Sequence, residues 1–257
     1  MDTENLEIQE TEALEPLSKA DAMVGVFTSP GATFETIRNT PKTNYWAMPL
    51  IIMIIASVIA SFLFLQDNDL LTKVLDKQKR EMMKRFEENV KNGKMTQEQV
   101  KTAMEQTEKY MGKSMIAITS YSFAVLGAAF MFFLVCVIYL LALKIMKAEF
   151  DFGNILNVVG LALLINAIGG LVTIGVSIIV GELSTVSLGL ILKEKVIGES
   201  LNGFLSRLDL FSIWYYTVIA IGLAKIARIK PVTSYSTVFG LWVIWLVITN
   251  FGMKLIF

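Results

Sequence analysis

Four polar residues lie within or at the edge of long apolar runs: Asn157, Asn166, Asn250 and Asp209. Because an amide exposed to hydrocarbon is costly, each asparagine must face a neighbouring helix or a water-lined cavity. In a cavity the amides would line a path for an ion or small solute. Between helices they would form hydrogen bonds, and this interpretation is favoured. Asp209 could take part in a proton relay, but no second acidic residue lies within the apolar runs.

The residues needed for common kinds of catalysis are missing. The chain of 257 residues contains no histidine and a single cysteine, Cys136, inside an apolar run. This excludes imidazole metal ligands, histidine general bases and Ser-His or Cys-His nucleophile pairs. The HExxH, CxxC, GxSxG and GxxxxGK[ST] motifs do not occur either. We therefore expect no enzymatic activity, cofactor or metal, and the formal net charge of zero gives no reason to expect nucleic acid as a partner.

The apolar residues around these positions are concentrated in five segments, whereas the charged residues gather in 1–42 and 67–113. A helix needs about 20 mostly apolar residues to cross a bilayer. Helices buried in a soluble core would keep a polar stripe with a 3.6-residue period, and these segments show none. The sequence predicts an all-α polytopic membrane protein with five transmembrane helices, at residues 46–65, 115–143, 155–180, 210–226 and 238–257.

Aromatic residues at the ends of these segments indicate contact with the membrane interface. Trp214, Tyr215 and Tyr216 lie near the start of the fourth segment, and Trp46 begins the first. Amphipathic rings of this kind favour the headgroup region of a bilayer. The fourth segment ends in cations, which can extend to lipid phosphates. We therefore predict that the four aromatic residues anchor their helices at the interface.

A short helix is predicted before the first span, in the stretch "SPGATFETI" at residues 29–37. The Pro-Gly pair makes a turn, and Phe34 then lies on the apolar side of the helix that follows. The preferred interpretation is that Phe34 is a further interfacial anchor. The alternative is that this helix docks against the cytoplasmic ends of the spans.

Residues 67–113 predict an extramembrane helical hairpin between spans one and two. Its two apolar stripes would face each other, and "NGK" at 92–94 would form the turn. Thr96 and Gln99 have the spacing of a capping box, which marks the start of the second arm. This arm is expected to continue without a break into the second span. The alternative is that both arms lie flat on the membrane surface.

Cations in the short loops predict a cytoplasmic amino terminus. Lys225, Arg228 and Lys230 follow the fourth span, on the same side as the amino terminus in a five-span topology. The hairpin is rich in lysine and arginine and opposes this orientation, although its acids neutralise most of the charge. Residues 1–22 form an acidic stretch that we expect to be a disordered tail.

Three segments resemble the bacterial branch of the Yip family, membrane proteins named in eukaryotes for interacting with Ypt/Rab GTPases. They are "VFTSPGATFETI" at 26–37, "FDFGNILNVVGLALLINAIGGL" at 150–171 and "LDLFSIWYYTVIAIGLAKIARI" at 208–229. The resemblance covers most of residues 24–257 and implies a Yip-like membrane domain over 23–257 in the bacterial inner membrane. In eukaryotes the family acts in vesicle trafficking and membrane shaping. The Ypt/Rab GTPases do not carry over to bacteria as a partner.

Two functions are compatible with these features. The favoured one is a non-enzymatic scaffold or membrane-organising protein that binds membrane lipids, other membrane proteins or a second copy of itself. The alternative is a small-solute transporter or channel with a polar path near Asn157 and Asn166. A polar cavity reaching Asn166 would favour transport, and a closed, dry helix bundle would favour the scaffold.

Overall fold

A computed structural model describes residues 15–110, 112–187, 205 and 208–249 of the chain. This part of the chain is helical, and its only β contact is an isolated bridge between Ser187 and Asp209. The first helix begins at Lys19, inside the stretch predicted as a disordered tail, because the Ser18 hydroxyl accepts a hydrogen bond from the Asp21 amide and caps it. Residues 1–14 and Asn250 lie outside the described residues.

The described helices fall into an amino-terminal pair, a pair of charge-rich helices predicted to lie outside the membrane, and a set of apolar helices. Between α6 and α7 the chain makes a π-helical segment, Phe123–Gly127. The α-helices are α1 (Lys19–Thr28), α2 (Pro30–Asn39), α3 (Ala47–Gln66), α4 (Asn68–Lys91), α5 (Gln97–Tyr110), α6 (Lys113–Ser122), α7 (Ala128–Ile145), α8 (Phe152–Val180), α9 (Leu210–Ile226) and α10 (Pro231–Val247).

Three helical stretches in the described chain are long and apolar enough to cross a membrane: Ala47–Gln66, Lys113–Ile145 and Phe152–Val180. Two shorter apolar helices, α9 and α10, have 17 residues each. The predicted bounds of the first four spans agree with these helices to within a few residues. Helix α10 begins at Pro231, seven residues before the predicted start of the fifth span at 238, because proline is favoured in the first turn of a helix.

Helix α8 lies at the centre of the bundle and packs against α3, α7 and α9. Its contacts are close where glycines replace larger residues. A Cβ atom on Gly160 would lie 2.6 Å from the Trp46 Cα, and one on Gly169 would lie 2.7 Å from the Phe211 Cβ. Helices in lipid gain association energy from such backbone proximity, since hydrocarbon provides no hydrophobic drive between them.

Helices α4 and α5 correspond to the two predicted extramembrane arms. They make few contacts with each other, which corrects the prediction that their apolar stripes face each other. Gly93 has a φ of 68° and ends the first arm, a left-handed conformation that glycine adopts without strain. The capping box is confirmed: the Thr96 hydroxyl accepts from the Gln99 amide at 3.2 Å, and the Gln99 side chain accepts from the Thr96 amide at 2.8 Å. The apolar stripe of α4 is buried or half-buried, at Leu71, Val74, Leu75, Met82, Phe86 and Val90.

The second arm does not continue smoothly into the second span, which corrects the prediction. Gly112 has an extended backbone, with ψ of 148°, and α6 begins after it at Lys113. At this joint the Lys113 ammonium donates to the Asn68 side chain at 3.0 Å, which ties the bases of the two arms together. Lys73 of α4 donates to the Gly181 carbonyl at 2.9 Å and connects the first arm to the end of α8.

Candidate functional site: the docked amino-terminal hairpin

Helices α1 and α2 form a compact helical hairpin joined at Ser29. Pro30 begins α2, where its missing N–H costs nothing. The two helices touch where Gly25 of α1 faces Thr33 of α2, and a Cβ atom on Gly25 would collide with the threonine hydroxyl. That hydroxyl donates to the Ser29 carbonyl at 3.0 Å, so it stays satisfied inside the contact. We call this unit, Lys19–Asn39, the amino-terminal hairpin.

The second helix of the amino-terminal hairpin is docked between α8 and α9. Phe34 is fully buried, and a Cβ atom on Gly222 of α9 would lie 3.1 Å from its ring and 2.5 Å from Val158 of α8. Ile37, one turn later on the same face, is 3% exposed. Phe34 therefore packs inside protein and does not reach the membrane interface. This corrects the preferred interpretation of Phe34 as an anchor and agrees with the docking alternative.

The first helix of the amino-terminal hairpin reaches beyond the level at which α3 begins. Gly160 of α8 contacts Trp46, just before α3, so these residues mark one level. Helix α1 borders a groove that is also lined by Leu164 and Leu171 of α8. These two leucines lie about 6 and 17 Å beyond Gly160 along the axis of α8, at 1.5 Å per residue. Phe27 also meets Trp214 of α9, with ring centroids 5.7 Å apart. The tip of the hairpin therefore lies among the apolar helices.

Charged residues hold the outer part of the amino-terminal hairpin to α9. The Lys225 ammonium lies 2.6 Å from a Glu35 carboxylate oxygen, and Arg38 donates to the Lys225 carbonyl at 2.8 Å. The hydrogen bond from Lys225 and its positive charge lower the pKa of Glu35 below its usual value. Both side chains are partly exposed, so solvent screens the pair and it directs docking more than it stabilises the fold.

A second ion pair, between Lys42 and Asp151, joins the linker after the hairpin to the start of α8 at 2.6 Å. The Asp151 carboxylate also accepts from the Gly153 amide at 2.8 Å as the cap of α8. The hydrogen bond from Lys42 is the main cause that lowers the pKa of Asp151, and the amide bonds of the cap add to it.

These lowered pKa values predict that acid weakens docking. A carboxyl group whose folded pKa is depressed contributes stability above its unfolded pKa and loses it as the pH falls through the folded value. Spin labels on the exposed positions Ala32 of α2 and Val232 of α10 report the distance between these two helices. We expect a narrow distance distribution near neutral pH and a broader one below about 4.5, the usual pKa of Glu35. Glu35→Gln should broaden it modestly at neutral pH. A wild-type distribution that stays narrow in acid would contradict the role of the carboxylates.

Asn157 fastens the linker between the hairpin and α3. Its side-chain oxygen accepts from the Tyr45 amide at 2.9 Å, and its side-chain nitrogen donates to the Thr43 carbonyl at 2.9 Å. Asn157 is 3% exposed, so both bonds lie out of water. Tyr45 in turn donates its hydroxyl proton to the Leu17 carbonyl at 2.9 Å, just before α1. The amide therefore forms internal hydrogen bonds, but with the backbone of the linker and not between helices as the sequence analysis favoured.

The other predicted polar residues occupy different settings. Asn166 is half-buried on α8, and no described residue forms a hydrogen bond with its side chain. Asp209 is the cap of α9: it accepts from the Ser212 amide at 2.9 Å and also from the Ser212 hydroxyl. Arg207, two residues before Asp209, lies outside the described residues, as does Asn250. The structure therefore gives the three described residues, Asn157, Asn166 and Asp209, separate settings and does not join them in one hydrogen-bonded site.

The predicted aromatic anchors are largely engaged with other rings. Trp46 stacks on Phe132, with centroids 5.4 Å apart, and Tyr216 lies 4.9 Å from Trp242. Trp214 is the most exposed anchor, at 37%, and remains a candidate for the interface. Tyr215 is 6% exposed and packs in the bundle. Its position corrects the prediction, since three consecutive helical residues cannot all point to the same side.

Metal ions in proteins are held by groups of ligating side chains. No group of three or more potential ligating side chains occurs in the described part of the chain. Sequence reasoning missed the ion pairs at Glu35 and Asp151, because their partners are far away in sequence. The only local signal was the spacing of Glu35 and Arg38, which lie three residues apart on one side of α2. The site is therefore a docking arrangement of helices.

Comparison with models of protein families identifies the family of the chain. A model of the Yip1 domain matches residues 24–249. The chain belongs to the Yip1 domain family. The match thus starts inside α1 and includes most of the amino-terminal hairpin, α4, α5 and all the described apolar helices. The family and its apolar helices make this a multi-pass membrane protein. Comparison with curated proteins and with solved structures finds no significant match.

Proposed function

We propose that this Yip1 domain is a non-enzymatic scaffold of the cytoplasmic membrane, with five spans, that organises the membrane by binding lipids or other membrane proteins. In this proposal α9 and α10 are the fourth and fifth spans. Each is 17 residues long, at the lower limit for crossing a bilayer. The bundle then provides the membrane anchor, and the extramembrane arms provide a surface outside it.

The observation that carries this proposal is the apolar character of the described bundle. The groove between α1, α3 and α8 has a volume of about 410 Å³ and is lined by apolar side chains and Thr28. The Thr28 hydroxyl donates to the Val24 carbonyl at 3.3 Å, so it offers no proton to a solute. A transport path needs polar groups that replace the water around its cargo.

The alternative, a transporter, rests on Asn157 and Asn166. Both polar ends of Asn157 are already occupied by the linker backbone. Asn166 lies on α8 among the groove residues but is not part of the groove lining. The described residues thus give a solute no pair of amides to bind, and this favours the scaffold.

Reconstitution distinguishes the two functions. For the scaffold we expect no protein-dependent entry of ions or small solutes into sealed liposomes. A photoreactive residue in place of the exposed Lys84 of α4 should give the same few adducts in native membranes at low and at normal expression. Solute entry that is lost on substitution of Asn166 would establish transport instead. Adducts that change with expression level would indicate chance collisions and count against the scaffold.

Topology provides a separate prediction. With a cytoplasmic amino terminus, the extramembrane arms lie on the outer face of the membrane. Lys94 is exposed at the turn of the arms, whereas Cys136 is fully buried. In a Cys136→Ala background, we expect Lys94→Cys to react with a membrane-impermeant thiol reagent in intact cells. Reaction only after the cells are opened would reverse the topology, and Lys147→Cys is the control expected to show that opposite pattern.

A further inference from the structure

We propose that the groove between α1, α3 and α8 is a binding site for one phospholipid, with an acyl chain in the groove and its phosphate at Lys19. This inference rests on the proposed function, because it names the lipid and the site through which the scaffold would hold it. The groove opens on the side of the bundle, and its residues come from the amino-terminal hairpin and from two helices long enough to span the membrane.

The shape and chemistry of the groove suit a hydrocarbon chain. Its volume of about 410 Å³ is in the range of about 300–1,000 Å³ found for small-molecule sites. The α3 side contributes Ile52 and Ala56, and the α8 side includes Ala167. No charged side chain lines it, so a polar ligand would lose its hydration without compensation. A methylene chain loses no hydrogen bonds there.

The groove is continuous with surface that lipid would cover. Val24, Ile168 and Leu171 line the groove and are 61%, 44% and 37% exposed. On α3 the neighbouring Ile51 and Ile55 are 57% and 53% exposed. Because bilayer hydrocarbon surrounds these side chains, an acyl chain can enter the groove sideways without crossing water. A soluble peptide would first have to displace lipid from this face.

The charge at one end of the groove suits a phosphate. Lys19 is exposed and lies four and eight residues before Met23 and Phe27, so it continues their row towards the start of α1. This end is near the level at which α3 begins, since Leu17 is bonded to Tyr45. The amino terminus of α1 adds a favourable dipole for an anion. Asp21 lies about 200° around the helix from Lys19, and its carboxylate accepts from the Ser18 hydroxyl.

Photolabelling of the full-length protein in lipid nanodiscs tests the site. The probe is a phospholipid with a photoreactive group near the end of one acyl chain, and the labelled residues are mapped by mass spectrometry. We expect labelling to saturate and to concentrate on the groove residues. Ala167→Phe, which fills the groove, should reduce this labelling at least fivefold. Gly240→Phe is the matched control, because a side chain at Gly240 meets open space on α10.

Two further variants keep the test decisive. Val24→Trp is expected to cover the groove from an exposed position, so it should reduce labelling even if Ala167→Phe fails to fold. Lys19→Gln should weaken retention of the probe at least threefold while leaving the position of the label unchanged. Labelling in proportion to exposure, with Phe130 and Ile145 as reactive as the groove, would show annular lipid only and overturn the proposal.

Other occupants would be recognised in the same experiment. A crosslink between two copies of α1 would show that a second chain fills the groove, and this also overturns the lipid site. The adducts formed by the extramembrane arms do not depend on the groove. Loss of the lipid site with those adducts intact would therefore refute this inference alone, whereas loss of both would refute the scaffold as well.

Discussion

Gly160→Val is expected to destabilise the folded protein by about 3 kcal/mol or more, at the upper end of the cost of overpacking a core. A Cβ atom at this position would lie 2.6 Å from the Trp46 Cα, and the nearest atoms include backbone, which cannot rotate away. Trp46 is fixed in turn by its stack on Phe132. Either α3 and α8 must separate or the linker before α3 must move. Thermal unfolding in detergent, followed by size-exclusion chromatography, measures the loss.

Gly170→Val is the matched control for this variant. Gly170 is on the same helix, is exposed, and has no atom within 4 Å of an added Cβ. Because valine also lowers the backbone entropy of the unfolded chain, we expect this variant to be neutral or slightly more stable. An equal loss in both variants would mean that valine is unfavourable at both glycine positions for a reason other than the contact with Trp46. Equal stability of both would remove the close contact between α3 and α8 as a source of stability.

Much of the fold could be predicted because the main signals are local. Apolar length determines where a helix can span a membrane, so the bounds of α3, α8 and α9 follow from composition. The capping box at Thr96 and the glycine turn at Gly93 also depend on a few neighbouring residues. Helix α10 begins at Pro231, before the apolar residues from which the fifth span was predicted, because proline is favoured in the first turn of a helix.

The position of the amino-terminal hairpin could not be predicted, because it depends on contacts between distant segments. Phe34 has the same local pattern whether its ring enters lipid or packs against Gly222. The structure buries it, since α9 has a glycine at the level of the ring and leaves space for it. In the same way, Glu35 finds Lys225 across 190 residues of sequence. A pattern of three or four residues contains no information about such a partner.

The candidate site was predicted in part, and Asn157 shows why. A buried amide in an apolar run must find partners, so internal hydrogen bonding could be expected from its chemistry alone. Which groups it would satisfy was not predictable, because the Thr43 carbonyl and the Tyr45 amide lie in an irregular linker. The lipid groove was missed for a similar reason: Met23, Ile52 and Ala167 come from three separate helices.

Asn157→Leu is expected to destabilise the protein by about 2–4 kcal/mol. The substitution keeps the approximate size of the side chain but leaves the Tyr45 amide and the Thr43 carbonyl without a partner. Each buried polar group without a hydrogen bond costs about 1–3 kcal/mol. We expect a lower unfolding temperature and faster proteolysis of the linker between α2 and α3. The proteolysis pattern distinguishes loss of this attachment from general unfolding.

Asn166→Leu is the matched comparison, because it replaces the same residue type on the same helix. No described residue bonds the Asn166 side chain, so its removal should be neutral or slightly stabilising. The pair of variants also separates the two functions, since a transporter would need both amides at its path. Suppose that Asn157→Leu left stability unchanged and Asn166→Leu abolished the function of the protein in cells. The Asn166 amide would then be a ligand site, and the attachment of the linker would depend on contacts other than those of Asn157. The opposite result would assign Asn157 to structure and leave the apolar groove as the feature of this bundle most suited to binding.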